Sequence, residues 1–399
     1  MTATRATDPT TPTGPVLYLA FELGRSSWKL AFTIGAGQKP RLRSLAARRL
    51  VGLDLEIRKA KERFGLPADA PVISCYEAGR DGFWLHRFLV HEGVQNLVVD
   101  SASIEVNRRQ RRAKSDRLDA VKLLSLLIRW HDGEERVGAV VRVPAVDDED
   151  RRQLHRDLMR LKAERTEHDN RIKGLLAGLG LSVTIDAQFL ERLERLRQWD
   201  GAAVPSGLRR CLTREFQRRP LVGRQIRELE SERRALIRDR TDPQMDQVRR
   251  LQRLRGIGAN TAWLLVRELF GWRRIRNRRE LAALAGRTPS PYDSGESRRE
   301  QGISEAGNRR VRAMMIEVAW LWLQYQPESE LSRWFRRRFG PGNARLRKTG
   351  IVAVARKLLI ALWKYLETGE VPAGAEVSEV PAGAEVSEAE EDLVVKQAS

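Results

Sequence analysis

Short apolar runs and longer amphipathic stretches alternate along the first 145 residues of the chain. Apolar runs of strand length, bounded by turn residues, lie at 16–22, 28–34, 41–48, 72–77 and 96–100. Apolar residues at helical spacing lie between and after them, at 52–64, 82–92 and 115–130. The predicted order, β-β-β-α-β-α-β-α, is typical of a mixed sheet with helices on its faces. We therefore predict an α/β domain over residues 15–145.

From residue 146 the pattern becomes helical and strongly charged. Two long stretches, about 147–178 and 220–238, have only a thin stripe of Leu and Ile among Arg, Lys, Glu and Asp. Sparse stripes of this kind predict an antiparallel coiled-coil arm over residues 146–246. Such arms mediate dimerisation or extend a protein towards a partner. The alternative is a solvated helical hairpin without a partner.

The remainder of the chain divides into a helical domain and two segments of biased composition. Amphipathic stretches predict a third, mostly helical domain over 247–366. Residues 1–14 are rich in Thr and Pro, and residues 367–399 contain a direct repeat, Val371–Glu379 followed by Val380–Glu388. We expect both terminal segments to be disordered.

The net charge narrows the class of partner. Lys and Arg number 73 against 53 for Asp and Glu, a formal charge of +20. Residues 367–399 hold nine acidic side chains and one Lys, which leaves +28 for the rest. Because Arg predominates and makes bidentate contacts with phosphates, we expect a nucleic-acid partner, the alternative being a codon bias towards Arg. Weak competition between the acidic tail and nucleic acid is a further hypothesis.

The sequence excludes several classes of protein. No apolar run approaches the ~20 residues of a spanning helix, and the N-terminus lacks the apolar core of a signal peptide. We therefore expect a cytoplasmic, nucleoid-associated protein without membrane contact. Cys75 and Cys211 are the two cysteines of the chain. Two cysteines in different predicted domains exclude a disulfide scaffold and a cysteine-based zinc site.

Four carboxylates stand at positions where chemistry is expected. Glu22 and Glu77 close two predicted strands, and Asp116 and Asp119 share one face at the start of a predicted helix. Strand-end carboxylates beside such a pair predict a site for Mg²⁺, which prefers hard oxygen ligands and leaves positions open for phosphate. The alternative is that Asp116 favours the helix dipole and Asp119 pairs with an arginine.

Two segments of the third domain are candidates for DNA contact. Gly256 and Gly258 stand in a Leu-Arg-Gly-Ile-Gly turn of helix-hairpin-helix type, whose backbone N–H groups suit a phosphate; an ordinary helix–helix turn is the alternative. Residues 286–297 predict a turn-rich loop that presents a serine hydroxyl. The arginines able to hold a phosphodiester beside it are Arg298, Arg299, Arg309 and Arg310. All five histidines precede this domain, which excludes a Ser-His-Asp site built within it.

Two long motifs occur in a characteristic order. They are Ala-Lys-Ser-Asp-Arg-Leu-Asp-Ala at 113–120, and residues 289–295 followed by 302–308. With the domain order, they resemble a bacterial insertion-sequence transposase family. Its members join a RuvC-like (RNase H-like) DEDD domain to a C-terminal domain with a catalytic serine and are guided by a bridge RNA. The resemblance covers about residues 16–365.

This resemblance implies roles for individual residues. Glu22, Glu77, Asp116 and Asp119 would bind Mg²⁺, and Ser294 would attack DNA to form a covalent phosphoserine. The carboxylates of one subunit and the serine of another would complete one site, so a homo-oligomer, a dimer or tetramer, is expected. The implied partners are a structured guide RNA and the DNA of the element ends and target.

The sequence departs from the family pattern at its first acidic residue. Relatives usually have Asp in a strand like Ile-Asp-Val, whereas this chain has Phe21-Glu22-Leu23. One extra methylene displaces a carboxylate by roughly 1.5 Å, and Mg²⁺ tolerates little displacement. A non-catalytic, decayed nucleic-acid-binding copy therefore stays open. A metal-dependent nuclease of the Holliday-junction resolvase type is the other alternative, in which the same four carboxylates would activate water and Ser294 would be a turn residue. The alternative nucleophiles are Ser290, Ser297 and Tyr292.

Overall fold

The structure is a computed structural model that describes residues 14–104, 116–134, 137–294, 297–303 and 307–378. Over 289–294 and 297–302 it describes the backbone alone. The chain divides into two compact units, Met1–Val143 and Pro144–Ser399. The predicted N-terminal segment 1–14 lies outside the described residues except for Gly14, and so do residues 379–399 of the predicted tail.

The first unit is built on a mixed five-stranded sheet, which confirms the predicted α/β class. The strand order is β3-β2-β1-β4-β5, with β1, β2 and β3 antiparallel and β1, β4 and β5 parallel. Its elements are β1 (Leu17–Leu23), β2 (Ser27–Thr33), β3 (Arg41–Ala46), α1 (Leu50–Arg63), β4 (Val72–Glu77), α2 (Trp84–His91), β5 (Gln95–Val99) and α3 (Asp116–His131).

Both faces of this sheet are covered by helices. Leu19 and Phe21 of β1 point into a core with α1 and α2, whereas Tyr18 and Ala20 point into a core with α3. Strands buried on both faces read as continuous apolar runs, which is why β1 is recognisable in the sequence. Each fully buried side chain such as Phe21 contributes about 1.5–3 kcal/mol relative to an exposed position.

The second unit begins with a charged helical hairpin. It comprises α4 (Val146–Asp150), α5 (Gln153–Ala177), α6 (Phe189–Arg195) and α7 (Ser206–Arg238). Helices α5 and α7 run antiparallel, because Lys162 pairs with Glu230 and His168 with Glu215. Leu158 of α5 is buried with apolar residues of α7, as the sparse stripe predicted.

The predicted start of the second long helix at Pro220 is wrong. Helix α7 begins at Ser206 and contains Pro220 in its interior. Proline removes one helical N–H and ordinarily costs about 3 kcal/mol in a helix interior. Here Pro220 is on the exposed side of α7, while Leu212 before it and Val222 after it are buried. Packing of the buried side keeps the helix continuous through the proline.

The rest of the second unit is mostly helical, as predicted. Its elements are α8 (Pro243–Gln252), α9 (Ala259–Leu265), α10 (Arg278–Leu284), β6 (Pro289–Ser294), β7 (Ser297–Ile303), α11 (Arg309–Tyr325), α12 (Glu330–Phe339) and α13 (Ala344–Thr368). A π-helical turn, Val266–Phe270, follows α9. One apolar core joins the helices, with Trp263 and Trp322 fully buried.

Two parts of this region differ from the prediction. The expected loop at 286–297 contributes to an antiparallel hairpin, β6–β7, because cross-strand backbone pairing satisfies groups that a loop leaves to water. The expected disorder from residue 367 does not hold for the described part of the tail. Helix α13 continues to Thr368, and residues 369–378 pack against the helical core. No helix of the described chain is long and apolar enough to cross a membrane.

Candidate active site and nucleic-acid surface

Glu22 and Glu77 lie side by side at the end of two parallel strands. The parallel pairing of β1 with β4 ends at Phe21 and Tyr76, so Glu22 and Glu77 are the next residues of the two strands. Side chains of a strand alternate between its two faces. Glu22 therefore lies on the face of Tyr18 and Ala20, the face that packs against α3. The same alternation places Glu77 on that face, because Ile73 and Cys75 of β4 belong to it.

Helix α3 brings its own carboxylates to this end of the sheet. The Tyr18 hydroxyl, near the start of β1, is 2.8 Å from Nδ1 of His131 at the end of α3. The Cys75 thiol donates to the Leu123 carbonyl at 3.5 Å, in the middle of the helix. Helix α3 thus runs opposite to β1 and β4. Its first turn, with Asp116 and Asp119, lies at the carboxyl ends of the strands.

The donor set suits Mg²⁺ in its chemistry and placement, but its side chains are not gathered around one point. Glu77 and Asp116 are exposed, and Glu22 and Asp119 are half-buried. An Asp119 oxygen accepts a hydrogen bond from Lys122 Nζ at 3.1 Å. Among the described residues, no three His, Cys, Asp or Glu side chains are close enough together to hold a metal ion. The preceding motif residues 113–115 lie outside the described chain.

The β6–β7 hairpin places the predicted nucleophile at its end. Ser294 is the last residue of β6 and pairs in register with Ser297, the first residue of β7. The candidate arginines Arg298 and Arg299 follow on β7, opposite Asp293 and Tyr292. Gly295, the motif glycine after Ser294, lies outside the described residues. In the hairpin, Ser294 therefore lies opposite the backbone of Ser297, and the backbone of Arg299 lies two residues further along β7.

A buried polar network holds the helix that follows the hairpin. Asn308 caps α11, its side-chain oxygen accepting from the backbone N–H groups of Arg310 at 3.0 Å and Val311 at 3.3 Å. The amide of Asn308 donates to Glu268 at 2.9 Å, and Glu268 also accepts from Arg156 of α5 at 2.9 Å. Glu268 thus connects the long arm helix to the first turn of α11. Both candidate arginines of that turn, Arg309 and Arg310, are exposed.

The Gly-Ile-Gly turn has a packing role in the structure. Gly256 has a φ of +86°, and a Cβ there would be 3.2 Å from Cβ of Tyr325 in α11. The backbone N–H of Arg255 in the same turn donates to the carbonyl of Glu376 at 3.4 Å. Gly258 is the N-cap residue of α9. A positive φ and the close approach of α11 therefore account for glycine at position 256, and phosphate binding by either glycine stays a prediction.

A strongly basic surface of the second unit was not predicted from the sequence. Seven exposed cations line α12 and the start of α13, here called the basic helix surface: Arg333, Arg336, Arg337, Arg338, Arg345, Arg347 and Lys348. Within this stretch Phe335 and Phe339 pack against Gly350, where a Cβ would be 2.6 Å from the Phe339 ring. This contact leaves the arginines of α12 outside the core. The available signal was an Arg-rich amphipathic helix with two buried phenylalanines one turn apart.

The two units together define a class of protein. A mixed α/β domain with carboxylates at one sheet end, joined to a strongly basic helical region, is typical of an enzyme that acts on nucleic-acid phosphodiesters. The profile described as "Transposase IS116/IS110/IS902 family" matches residues 248–334, from α8 to α12.

Curated relatives extend this match over most of the chain. A Sinorhizobium fredii protein named as a transposase, y4rJ, is 41% identical over 374 residues, which are 90% of this chain and 94% of that protein. The transposase for insertion sequence element IS1328 of Yersinia enterocolitica is 28% identical over 223 residues, 55% of this chain and 63% of that protein. The transposase for insertion sequence element IS1111A of Coxiella burnetii is 28% identical over 178 residues, which are 44% of this chain and 47% of that protein. The chain belongs to the IS116/IS110/IS902 family of transposases.

Proposed function

We propose that this transposase cuts and rejoins DNA under the guidance of a structured RNA, with Ser294 as nucleophile and a Mg²⁺ site made by Glu22, Glu77, Asp116 and Asp119. The observation that supports it best is the common placement of the four carboxylates. They lie at one end of the sheet and on one face, in a chain that belongs to a transposase family. The RuvC-like assignment of this unit belongs to the same proposal.

The chemistry assigns a separate task to each group. Mg²⁺ bound by the carboxylates would polarise the phosphodiester and neutralise developing charge. The Ser294 oxygen would form a bond to phosphorus as the bond from phosphorus to a sugar oxygen breaks, and the proton lost by the Ser294 hydroxyl would end on that sugar oxygen. The phosphoserine ester retains the energy of the broken phosphodiester. Attack on it by another DNA hydroxyl then rejoins the strands and frees the serine.

We propose that the active form is a homo-oligomer in which one copy supplies the carboxylates and another supplies Ser294. The α5–α7 hairpin is the proposed contact between copies. Leu221 and Leu236 of α7 support this role, because both are exposed apolar residues on a helix whose other apolar residues are largely covered. Burial of such residues between two hairpins would stabilise the pair of copies that shares a site.

Nucleic acid is expected to bind the arginine-rich surfaces. The basic helix surface and Arg309 and Arg310 present exposed cations that neutralise phosphates, a contact that does not depend on base sequence. Choice of sequence would then come from base pairing with the guide RNA. RNA recovered with the protein from cells that contain its own element, and sequenced, tests this part. We expect one abundant transcript from the element flank; a random sample of cellular RNA would contradict guidance.

A covalent-adduct experiment tests the nucleophile. The protein is expressed with its own flanking element DNA, denatured, trimmed with nuclease and examined by mass spectrometry for nucleotide on serine. We expect an adduct at Ser294 that is absent from Ser294→Ala. Ser297→Ala is the matched control, because Ser297 lies directly opposite Ser294 in the hairpin, and it should keep the adduct.

The other outcomes separate the competing functions. DNA breakage without an adduct, retained in Ser294→Ala and lost in Asp116→Asn, would identify a four-carboxylate nuclease of the resolvase type. DNA binding with neither breakage nor adduct, and unchanged by Asp116→Asn, would identify a non-catalytic binding protein. In that case Glu22→Asp tests whether the longer side chain is the cause, since restored breakage would show that the extra methylene displaces the ligand.

A further inference from the structure

The first copy of the direct repeat is bound to the helical domain as a small structured segment. Pro372 to Ala375 form a turn closed by a hydrogen bond from the Ala375 N–H to the Pro372 carbonyl at 2.8 Å. Gly374 has a φ of +70°, the conformation that glycine favours at the third position of such a turn. A Cβ on Gly374 would be 2.9 Å from the Glu328 carbonyl oxygen. Glycine is therefore required here for both conformation and space.

Buried polar groups of the domain bind the backbone of this segment. Gln326 is 1% exposed, and its amide group donates to the carbonyl of Glu376 at 2.9 Å and accepts from the Glu376 N–H at 2.7 Å. The same amide also donates to the Arg255 carbonyl at 2.9 Å. Glu330 is the first residue of α12, and its N–H has no acceptor within the helix. This N–H donates to the Ala373 carbonyl at 2.9 Å. These bonds resemble the recognition of a peptide strand rather than loose surface contact.

Residues 376–378 of the repeat add further backbone and side-chain contacts. Val377 bridges to Leu254 and packs on the helical core, and the Ser378 N–H donates to the Arg253 carbonyl at 2.7 Å. The Glu376 carboxylate pairs with Arg255 at 2.9 Å, although both side chains are more than half exposed. The turn 253–257, Gln326 and the N-terminus of α12 thus form one site, here called the repeat-binding site.

The second copy of the repeat has the same residue at every contacting position. Val380–Glu388 is identical to Val371–Glu379, so Gly383 corresponds to Gly374 and Glu385 to Glu376. We propose that the repeat-binding site is a peptide-binding site with two interchangeable ligands in its own chain, and that residues 380–388 occupy it when residues 371–379 leave. The first copy has the shorter connection to α13. Because loop-closure entropy grows only with the logarithm of loop length, the second copy remains a competent ligand.

Three variants of the full chain test this exchange by hydrogen exchange. The first-copy variant carries Gly374→Val and Glu376→Lys, the second-copy variant carries Gly383→Val and Glu385→Lys, and the double variant carries all four. We expect the Glu330 amide to stay protected in both two-residue variants and to exchange at least tenfold faster in the double variant. In the first-copy variant, the Glu385 amide should also gain the protection that the Glu376 amide has in the parent chain. Both effects should be independent of protein concentration.

A synthetic peptide separates binding from misfolding. The peptide spanning residues 380–388 is added to the double variant, whose repeat-binding site is unaltered, and a peptide with the same two substitutions is the control. We expect the first peptide alone to restore protection of the Glu330 amide. If the first-copy variant loses as much protection as the double variant, or if the peptide restores none, the second copy is not a ligand. Protection that rises with protein concentration would likewise overturn binding within one chain.

Discussion

Removal of the Glu268 charge is the sharpest test of how the second unit is held together. The Glu268 side chain is 4% exposed, and its carboxylate binds Arg156 of α5 and Asn308 of α11, with Arg152 at 3.9 Å. Arg152 is itself 9% exposed in its side chain, and burial lowers its pKa, an effect that Glu268 opposes. Glu268→Gln keeps the size of the side chain and its contact with Asn308. It removes the negative charge that neutralises two arginines.

The expected loss follows from the burial of the partners. Removal of one member of a buried ion pair costs about 3–5 kcal/mol, because the other charge remains buried and unpaired. The lower end applies here, since Arg156 is 28% exposed and regains part of its hydration. We expect Glu268→Gln to reduce the free energy of unfolding of the second unit by about 3 kcal/mol. Asp246→Asn is the control within the same unit, because the Asp246 carboxylate of the Arg249–Asp246 pair is 61% exposed and exposed pairs contribute about 0–1 kcal/mol.

Urea denaturation followed by tryptophan fluorescence measures the difference. Trp263 and Trp322 lie fully buried in the core of the second unit and report its unfolding. A double replacement, Arg152→Met with Glu268→Leu, should recover part of the loss, because it also removes the more deeply buried of the two arginine charges that Glu268 neutralises. If Glu268→Gln changes the unfolding midpoint of the second unit no more than Asp246→Asn does, the buried network is not a stabilising element and the reasoning is refuted.

Three further predictions concern charge. Deletion of residues 370–399 should tighten DNA binding at low salt, since it frees Arg255 and removes acidic side chains. Fluorescence anisotropy measures the affinity, and an unchanged salt dependence would contradict competition between the acidic tail and DNA. Burial lowers the pKa of His155 to about 4 from 6.5, so its unfolded form binds protons first as the pH falls. The free energy of unfolding should therefore decrease by about 3 kcal/mol between pH 6.5 and 4, and much less in His155→Phe. Arg336→Gln with Arg337→Gln should weaken DNA binding and reduce the slope of log affinity against log salt by up to about 2. Loss of binding to one DNA sequence only would argue against a surface that binds phosphates.

The first unit was largely predictable from sequence, because its strands are buried on both faces. A strand such as β1, with residues 17–21 all buried, must be a continuous apolar run, and the turn residues between runs mark its ends. The parallel pairing of β1 and β4 then places Glu22 beside Glu77 without knowledge of any side-chain distance. Whether the four carboxylates converge on one point was not predictable in this way. Convergence depends on side-chain positions such as that of Asp119, which accepts a hydrogen bond from Lys122.

The second unit was less predictable where distant residues decide local structure. Pro220 marks a helix start by local rules, yet packing of the buried residues on either side of it keeps α7 continuous. The β6–β7 hairpin has the composition of a loop, and its strands are recognisable only from their cross-strand pairing. The first repeat copy has the composition of a disordered segment, and it is ordered by Gln326, a buried residue about 50 positions before Glu376.

The Gly-Ile-Gly turn illustrates why a motif predicts a conformation more safely than a ligand. A φ of +86° at Gly256 satisfies the pattern, and this conformation, with the close approach of Tyr325 in α11, favours glycine there without any ligand. In the same turn, the Arg255 N–H donates to Glu376 of the acidic repeat. A phosphate that approached this N–H would have to displace the repeat first. Because the predicted DNA contact uses the neighbouring N–H groups of Gly256 and Gly258, we expect the bound repeat to restrict access of DNA to this turn.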